Sequence, residues 1–174
     1  DELYPYIKDE LALAKHRIDH QLSMVGVCLG AQIIAAAAGA KVYPGDKGKE
    51  IGWGPISLTE EGRNGPLSPL LLREAPMFHW HGDTFDLPKG ATLLASSELY
   101  ENQIYSLGKN ILGFQSHPEL NPQKIEHWLI AHACELAHTP QADLLQIRAD
   151  TKRYGDRLEA NGVEAVSNWL ANLD

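Results

Sequence analysis

The stretch Met24-Val25-Gly26-Val27-Cys28-Leu29-Gly30-Ala31-Gln32-Ile33-Ile34-Ala35-Ala36-Ala37-Ala38-Gly39 changes its pattern once, at the cysteine. The apolar run before Cys28 suits a buried strand, the Ala/Ile-rich run after it suits a helix, and Gly39 supplies the stop. Gly26 and Gly30 stand two residues to either side of Cys28, the Gly-x-Cys-x-Gly spacing of a nucleophile elbow with sulfur in place of a serine oxygen. A sharp strand-to-helix turn needs small neighbours so that the side chain at its tip projects from the carboxyl edge of a sheet. A cysteine placed there faces backbone N–H groups with no helical partner and the positive end of the helix dipole, both of which favour thiolate over thiol. The same residue also reads as a small buried cysteine, since free Cys is among the most buried residue types. A nucleophile needs a base, and the base an orienting partner, elsewhere in the chain.

Gly113-Phe114-Gln115-Ser116-His117-Pro118-Glu119 offers both. In an extended backbone residues i and i+2 project to one face, so Glu119 can accept a hydrogen bond from one ring nitrogen of His117 and leave the other for a nucleophile. Pro118 stiffens the link and ends the ladder.

The order of elements around these segments points to an α/β chain. Leu11, Leu13, Ala14, Ile18 and Leu22 form one face of a helix over residues 9–22. After the elbow come a short run at Lys41–Tyr43, a turn at Pro44-Gly45, a strand over Ile51–Leu58 and an exposed loop over Thr59–Pro69. Short strands follow at Met77–Trp80, Ala91–Ala95, Gln103–Leu107 and Ile111–Gln115, the last two joined by a hairpin at Gly108-Lys109-Asn110. Pro122 after Asn121 opens a helix carrying Ile125, Trp128, Leu129, His132 and Leu136; Thr139-Pro140 ends it, another helical stretch follows, and Val163–Leu173 closes the chain as a short helix. Cys134 is expected in the core, and His127, His132 and His138 at a solvated edge or packed structurally.

The 174 residues suffice for one domain of ordinary size, and 44% hydrophobic with 22% charged residues is the balance of a globular protein. A net charge of −8 argues against nucleic acid or an anionic membrane as the main partner. No run reaches the roughly 18 apolar residues of a membrane span, and no signal peptide opens the sequence. Cys28 and Cys134 lie in contexts that do not suggest pairing, and there is no Asn-x-Ser/Thr sequon, so a reducing cytoplasm is the expected location. His79 and His81 have no acid or cysteine of ligand spacing beside them, so no metal site is expected. Gly45–Glu50 does not make a phosphate loop, because Tyr43 stands where the motif needs glycine and Glu50 where it needs Ser or Thr.

Taken together, Gly26–Gln32 and His117-Pro118-Glu119, with His79-Trp80-His81-Gly82-Asp83, Leu87-Pro88-x-Gly90, Ala95-Ser96-Ser97 and Asn102-Gln103 between them, resemble the class I glutamine amidotransferases over residues 20–135. Lys49-Glu50-Ile51-Gly52-Trp53 and His79–Thr84 look most like the amidotransferase domain of GMP synthase and its stand-alone relatives. The resemblance implies a flavodoxin-like fold, a mixed and largely parallel central sheet flanked by helices. It implies glutamine, or another γ-glutamyl compound, as substrate, attacked by Cys28 to form a γ-glutamyl thioester with His117 as acid and base and Glu119 orienting it. Leu29, Gly30, Gln32, His81, Gly82 and Asp83 become the substrate-binding residues, with the Leu29 N–H as an oxyanion donor worth about 3–4 kcal/mol. No cofactor is implied, and an ammonia-accepting synthase is the implied partner. Ser116 stands where many relatives carry an aromatic residue.

Within this frame the chain reads as a glutaminase domain over 1–140 and a helical extension over 141–174 packed on the same domain. It opens on Asp1 in what already reads as helix and reaches its central strand by residue 24. The expectation is the carboxyl-terminal part of a longer protein that lacks the sheet's first strands, and with them the glycine-rich loop that carries the family's second oxyanion donor. A γ-glutamyl peptidase or hydrolase of the same fold, and a catalytically silent binding module, are the alternatives.

Overall fold

The computed structural model describes residues 4–70 and 76–173; residues 1–3, where the sequence already reads as helical, lie outside them. α1 (Tyr6–Asp19) ends before Gln21, whose φ of 53° turns the chain into β1 (Met24–Val27). α2 (Leu29–Ala37) begins one residue later, and Gly39 at φ 90° ends it. β2 (Val42–Pro44) follows. The strand predicted over Ile51–Leu58 is divided into β3 (Glu50–Gly54) and β4 (Ser57–Leu58), with Pro55, which has no N–H for a ladder, between them.

The stretch predicted as an exposed loop contains α3 (Glu60–Asn64), capped by the Thr59 hydroxyl accepting from the Gly62 N–H, and buries Leu67. Its Thr, Gly, Ser and Asn residues serve caps as readily as turns, which is why composition alone suggests a loop. β5 (Met77–His81), β6 (Asp83–Phe85), β7 (Ala91–Ser96), β8 (Ile104–Leu107) and β9 (Ile111–Phe114) match the short apolar runs. Beyond a 3-10 turn at Pro122–Lys124, the predicted helix is broken at His132 into α4 (Ile125–Ala131) and α5 (Ala133–Ala137). The two helical stretches predicted after Thr139-Pro140 are one helix of 28 residues, α6 (Leu144–Ala171), capped by the Asp143 carboxylate. Cys134 is exposed rather than in the core.

The main sheet runs β1-β9-β8-β7-β4. β1 and β9 are parallel, with Met24 beside Ile111 and Val27 beside Phe114, while β9-β8, β8-β7 and β7-β4 are antiparallel. The mixed sheet flanked by helices is the expected class; its parallel share among the described residues is the single β1-β9 pairing, because tight hairpins such as Gly108-Lys109-Asn110 impose antiparallel neighbours. Two ribbons, β2-β6 and β3-β5, complete the strands.

Alternation along the strands sends side chains into two cores. Tyr105 and Ile111 pack with Ala31, Ile34 and Ala35 of α2, whereas Ile104, Leu112 and Phe114 pack with Leu129 of α4 and Ile147, Leu158, Ala165 and Trp169 of α6. The helices lie very close to the segments that matter. A Cβ on Gly26 would meet backbone atoms of Gly30 at 2.5 Å, and one on Gly162 of α6 would meet the Pro118 carbonyl oxygen at 2.2 Å.

Candidate active site

β1, β9 and β5 bring the elbow, the His-Pro-Glu segment and the 81–83 loop together. Cys28 takes φ 51° and ψ −107°, a backbone region that L-residues rarely adopt, as the tip of the turn between β1 and α2. Its N–H donates to the Phe114 carbonyl at 2.7 Å and its own carbonyl accepts from the Gln32 N–H at 3.1 Å, so both sides of the turn are held by the backbone. Tyr105, whose ring fills the space left by Gly113, donates its hydroxyl to the Ala31 carbonyl at 2.7 Å and pins the first turn of α2 to the sheet. The N–H groups of Leu29 and Gly30, in that first turn, have no partner within the helix and open beside the sulfur.

His117 is buried, with its N–H donating to the Phe78 carbonyl of β5 at 2.8 Å. Its Nδ1 lies 2.7 Å from Glu119 Oε1, as the i, i+2 spacing predicts, and the Trp128 ring packs edge-on against it with centroids 4.7 Å apart. Its Nε2 is buried without a hydrogen-bond partner among the described residues. Burial works against charge on this ring, but the Cys28 sulfur and the Glu119 carboxylate outweigh it and raise the His117 pKa to about 9. An imidazolium beside the sulfur is therefore the favoured state near neutral pH.

The sulfur has two further neighbours, the Trp80 carbonyl at 3.7 Å and Gln115 Nε2 at 3.8 Å. The Gln115 side-chain oxygen accepts from Gln32 Nε2 at 3.0 Å, and the same Gln32 nitrogen reaches the Asp83 carbonyl at 3.4 Å. Gln32 and His81 are thus buried, with their polar atoms committed inside the protein, while Leu29 and Asp83 are exposed and Gly30 and Gly82 partly so. Among these residues, the groups left for a ligand are backbone N–H groups around 29–30, the backbone of 81–83 and the Asp83 carboxylate.

His81 is tied down from two sides: Nδ1 lies 3.1 Å from the Asp83 carbonyl and Nε2 3.0 Å from Glu50 Oε2, to which Gln103 Nε2 also donates at 2.7 Å. Burial disfavours charge on Glu50, yet hydrogen bonds from His81 and Ser97 and the nearby His79 hold its pKa below the usual carboxylate value. His79, almost wholly buried, has its pKa pushed down to about 4 by desolvation. Pairing of β3 with β5 supplies the acid that linear spacing did not reveal, and Glu50, His79 and His81 place ligand-type atoms within 4.8 Å of one another. Those atoms are engaged in hydrogen bonds that brace the 81–83 loop, which accounts for the cluster. Glu135 of α5 adds a second brace, pairing with Lys49 and accepting from Trp80 Nε1 at 2.9 Å.

Sequence reasoning singled out Cys28, His117 and Glu119 and passed over Gln115, Glu50 and Trp128. A signal existed for Gln115, which lies two residues before His117 and so shares its face of the extended chain. Glu50 and Trp128 carry no local signal, since strand pairing and helix packing bring them in.

Comparison with known proteins agrees with this geometry. The family model for class I glutamine amidotransferases matches residues 3–135. A glutamine amidotransferase-like protein of Salmonella typhimurium, YfeJ, is 37% identical over 131 residues, covering 74% of this chain and 54% of that protein. Gamma-glutamyl peptidase 4 of Arabidopsis thaliana is 38% identical over 109 residues, 59% of this chain and 42% of the peptidase. The chain thus spans about half the length of the curated relatives it matches. The crystal structure of a glutamine amidotransferase from Thermotoga maritima superposes with a TM-score of 0.86 at 31% identity, over 97% of this chain and 71% of the other. The match includes the elbow, the 81–83 loop and the His-Pro-Glu segment within one fold, and the chain belongs to the class I glutamine amidotransferase family.

Proposed function

We propose that this chain hydrolyses the side-chain amide of glutamine, or of another γ-glutamyl compound, with Cys28 as nucleophile, His117 as acid and base and Glu119 as the group that orients His117. One observation carries the reading: the sulfur at the tip of the elbow faces an imidazole whose pKa it helps to raise, and whose far nitrogen lies 2.7 Å from a carboxylate.

In this mechanism the Cys28 thiolate attacks the amide carbon, and the carbonyl oxygen becomes an oxyanion in reach of the Leu29 N–H. The His117 imidazolium gives its proton to the departing ammonia, leaving a γ-glutamyl thioester. Water then adds to the thioester carbon as His117 takes its proton, the C–S bond breaks, and glutamate leaves as the thiolate is restored. Glu119 holds the ring in the correct tautomer and stabilises its charged form. The backbone of 81–83 and the Asp83 carboxylate hold the substrate's α-substituents.

A second reading, hydrolysis of γ-glutamyl peptides, uses the same steps with an amine in place of ammonia. It is favoured by the resemblance to γ-glutamyl peptidases and by a cleft of about 480 Å³ between Tyr6 and Ile7 of α1 and Leu29, Gln32 and Asp83, large enough for more than an amide. The glutamine-hydrolysing subunit of GMP synthase from Natronomonas pharaonis is 31% identical over 64% of this chain, which supports a partner that takes up the ammonia.

The test is release of ammonia from glutamine, and of amine from γ-glutamyl peptides, by the full-length protein and its Cys28→Ala variant. Release that falls to background in a folded Cys28→Ala supports the proposal, with the preferred substrate deciding between the readings. Equal release by the variant, or none from either substrate, would overturn it and favour a binding module.

A further inference from the structure

A line of buried amides leads to the nucleophile and is not needed to hold the fold's backbone. Gln115 is fully buried at the end of β9, where its N–H donates to the Gln103 carbonyl at 2.7 Å. Its side-chain oxygen is occupied by Gln32 Nε2, so its side-chain nitrogen is the end left to point at Cys28 Sγ, 3.8 Å away. The direction of this relay is fixed by its far end. Gln32 must present a donor to the Asp83 carbonyl, and the nitrogen that does so serves Gln115 Oε1 as well, leaving Gln115 with only donors for the sulfur.

We infer that Gln115 is a further catalytic residue, a hydrogen-bond donor to the Cys28 sulfur, and that Gln32 is the positioning residue which fixes its orientation. This rests on the function proposed above. The Trp80 carbonyl, on β5, can accept from S–H but offers nothing to a thiolate, whereas an amide N–H favours the thiolate over the thiol. The other groups that bear on the sulfur are the His117 ring, with Glu119 beyond it, and the N-terminal N–H groups of α2. A donor at this position acts most when the thioester breaks. The electron pair of the C–S bond then returns to sulfur, and the Gln115 N–H faces the charge that develops there. It also holds the sulfur against rotation away from His117 between turnovers.

Alkylation of Cys28 by iodoacetamide, followed by mass spectrometry against pH in a Cys134→Ser background, reads the thiolate directly and does not depend on turnover. Gln115→Glu keeps the shape and the acceptor toward Gln32 but turns an oxygen to the sulfur, and Gln115→Met removes the polar group. Both are expected to raise the alkylation midpoint, Gln115→Glu by about one pH unit. With glutamine, both should accumulate acyl-enzyme and lower kcat by ~10-fold while KM changes less than ~3-fold. Gln32→Met should move the midpoint the same way by less. In the parent protein, which needs no variant to fold, the side-chain NH2 resonances of Gln115 should shift with the same midpoint as alkylation. An unmoved midpoint in any folded variant at Gln115, or resonances indifferent to the thiol's titration, would overturn the inference. A shifted midpoint in a protein inactive on γ-glutamyl amides would leave Gln115 as the donor and remove the catalytic reading above.

Discussion

At the scale of single residues, the site depends on a few positions where geometry leaves little choice. Holding Cys28 at positive φ costs a non-glycine residue about 1–3 kcal/mol, which the paired backbone on both sides of the turn sustains. The two elbow glycines are not equivalent. A methyl on Gly26 would collide with Gly30's backbone, while one on Gly30 would meet nothing within 4 Å. Gly26→Ala is therefore expected to lower stability by about 1–3 kcal/mol, seen as a lower Tm, and Gly30→Ala to leave Tm unchanged. Glu119→Gln removes a charge that helps to raise the His117 pKa to about 9. Activity of the parent should fall on the alkaline side as His117 loses its proton near pH 9. In Glu119→Gln that fall should move to lower pH, with kcat reduced by ~10-fold or more and KM little changed. A pH–rate profile checks both, and an unmoved alkaline limb would take Glu119 out of the mechanism.

The next scale is that of elements, and here α6 matters more than its sequence suggests. Gly155 and Gly162 lie on one face of the helix, and a Cβ at either would press on Pro122 or on the Pro118 carbonyl. The helix thereby supports the chain between His117 and α4. Gly162→Ala should displace Pro118 and its neighbours, lowering Tm and reducing activity more than the loss of stability explains. A variant with parent-like activity at a temperature where it is folded would show that α6 is only a cover. The pattern of the sequence located α2, β5, β8 and β9, because each is a short apolar run bounded by glycine or proline. It failed on α6, where polar residues and internal glycines hid one long helix, and on α3, where capping residues look like a loop. In the site, Cys28, His117 and Glu119 were legible because each signal lies within seven residues or fewer of chain. Gln115's link to Gln32, and Glu50's to His81, arise only when distant strands meet.

At the scale of the whole molecule, two buried histidines set how stability responds to pH, in opposite ways. His79 has its pKa lowered to about 4, so between pH 6.5 and that value the unfolded chain takes up a proton that the folded one refuses, and stability falls as pH falls through this window. His117 has its pKa raised, so its contribution is full below about 6.5 and is lost as pH rises through about 9. Stability measured by denaturant unfolding should therefore pass through a maximum between these windows, and His79→Asn, if folded, should flatten the acid side. A parent curve without decline from pH 6.5 to 4 would mean that His79 is not held neutral.

The central proposal, that Cys28 is a nucleophile in a γ-glutamyl site, is tested most directly by labelling with a diazoketone analogue of glutamine and locating the adduct by peptide mass spectrometry. The adduct should form on Cys28 and not on exposed Cys134, be suppressed by excess glutamine, and be lost in His117→Ala. No adduct on Cys28 in the folded full-length protein, or equal labelling of both cysteines, would refute it.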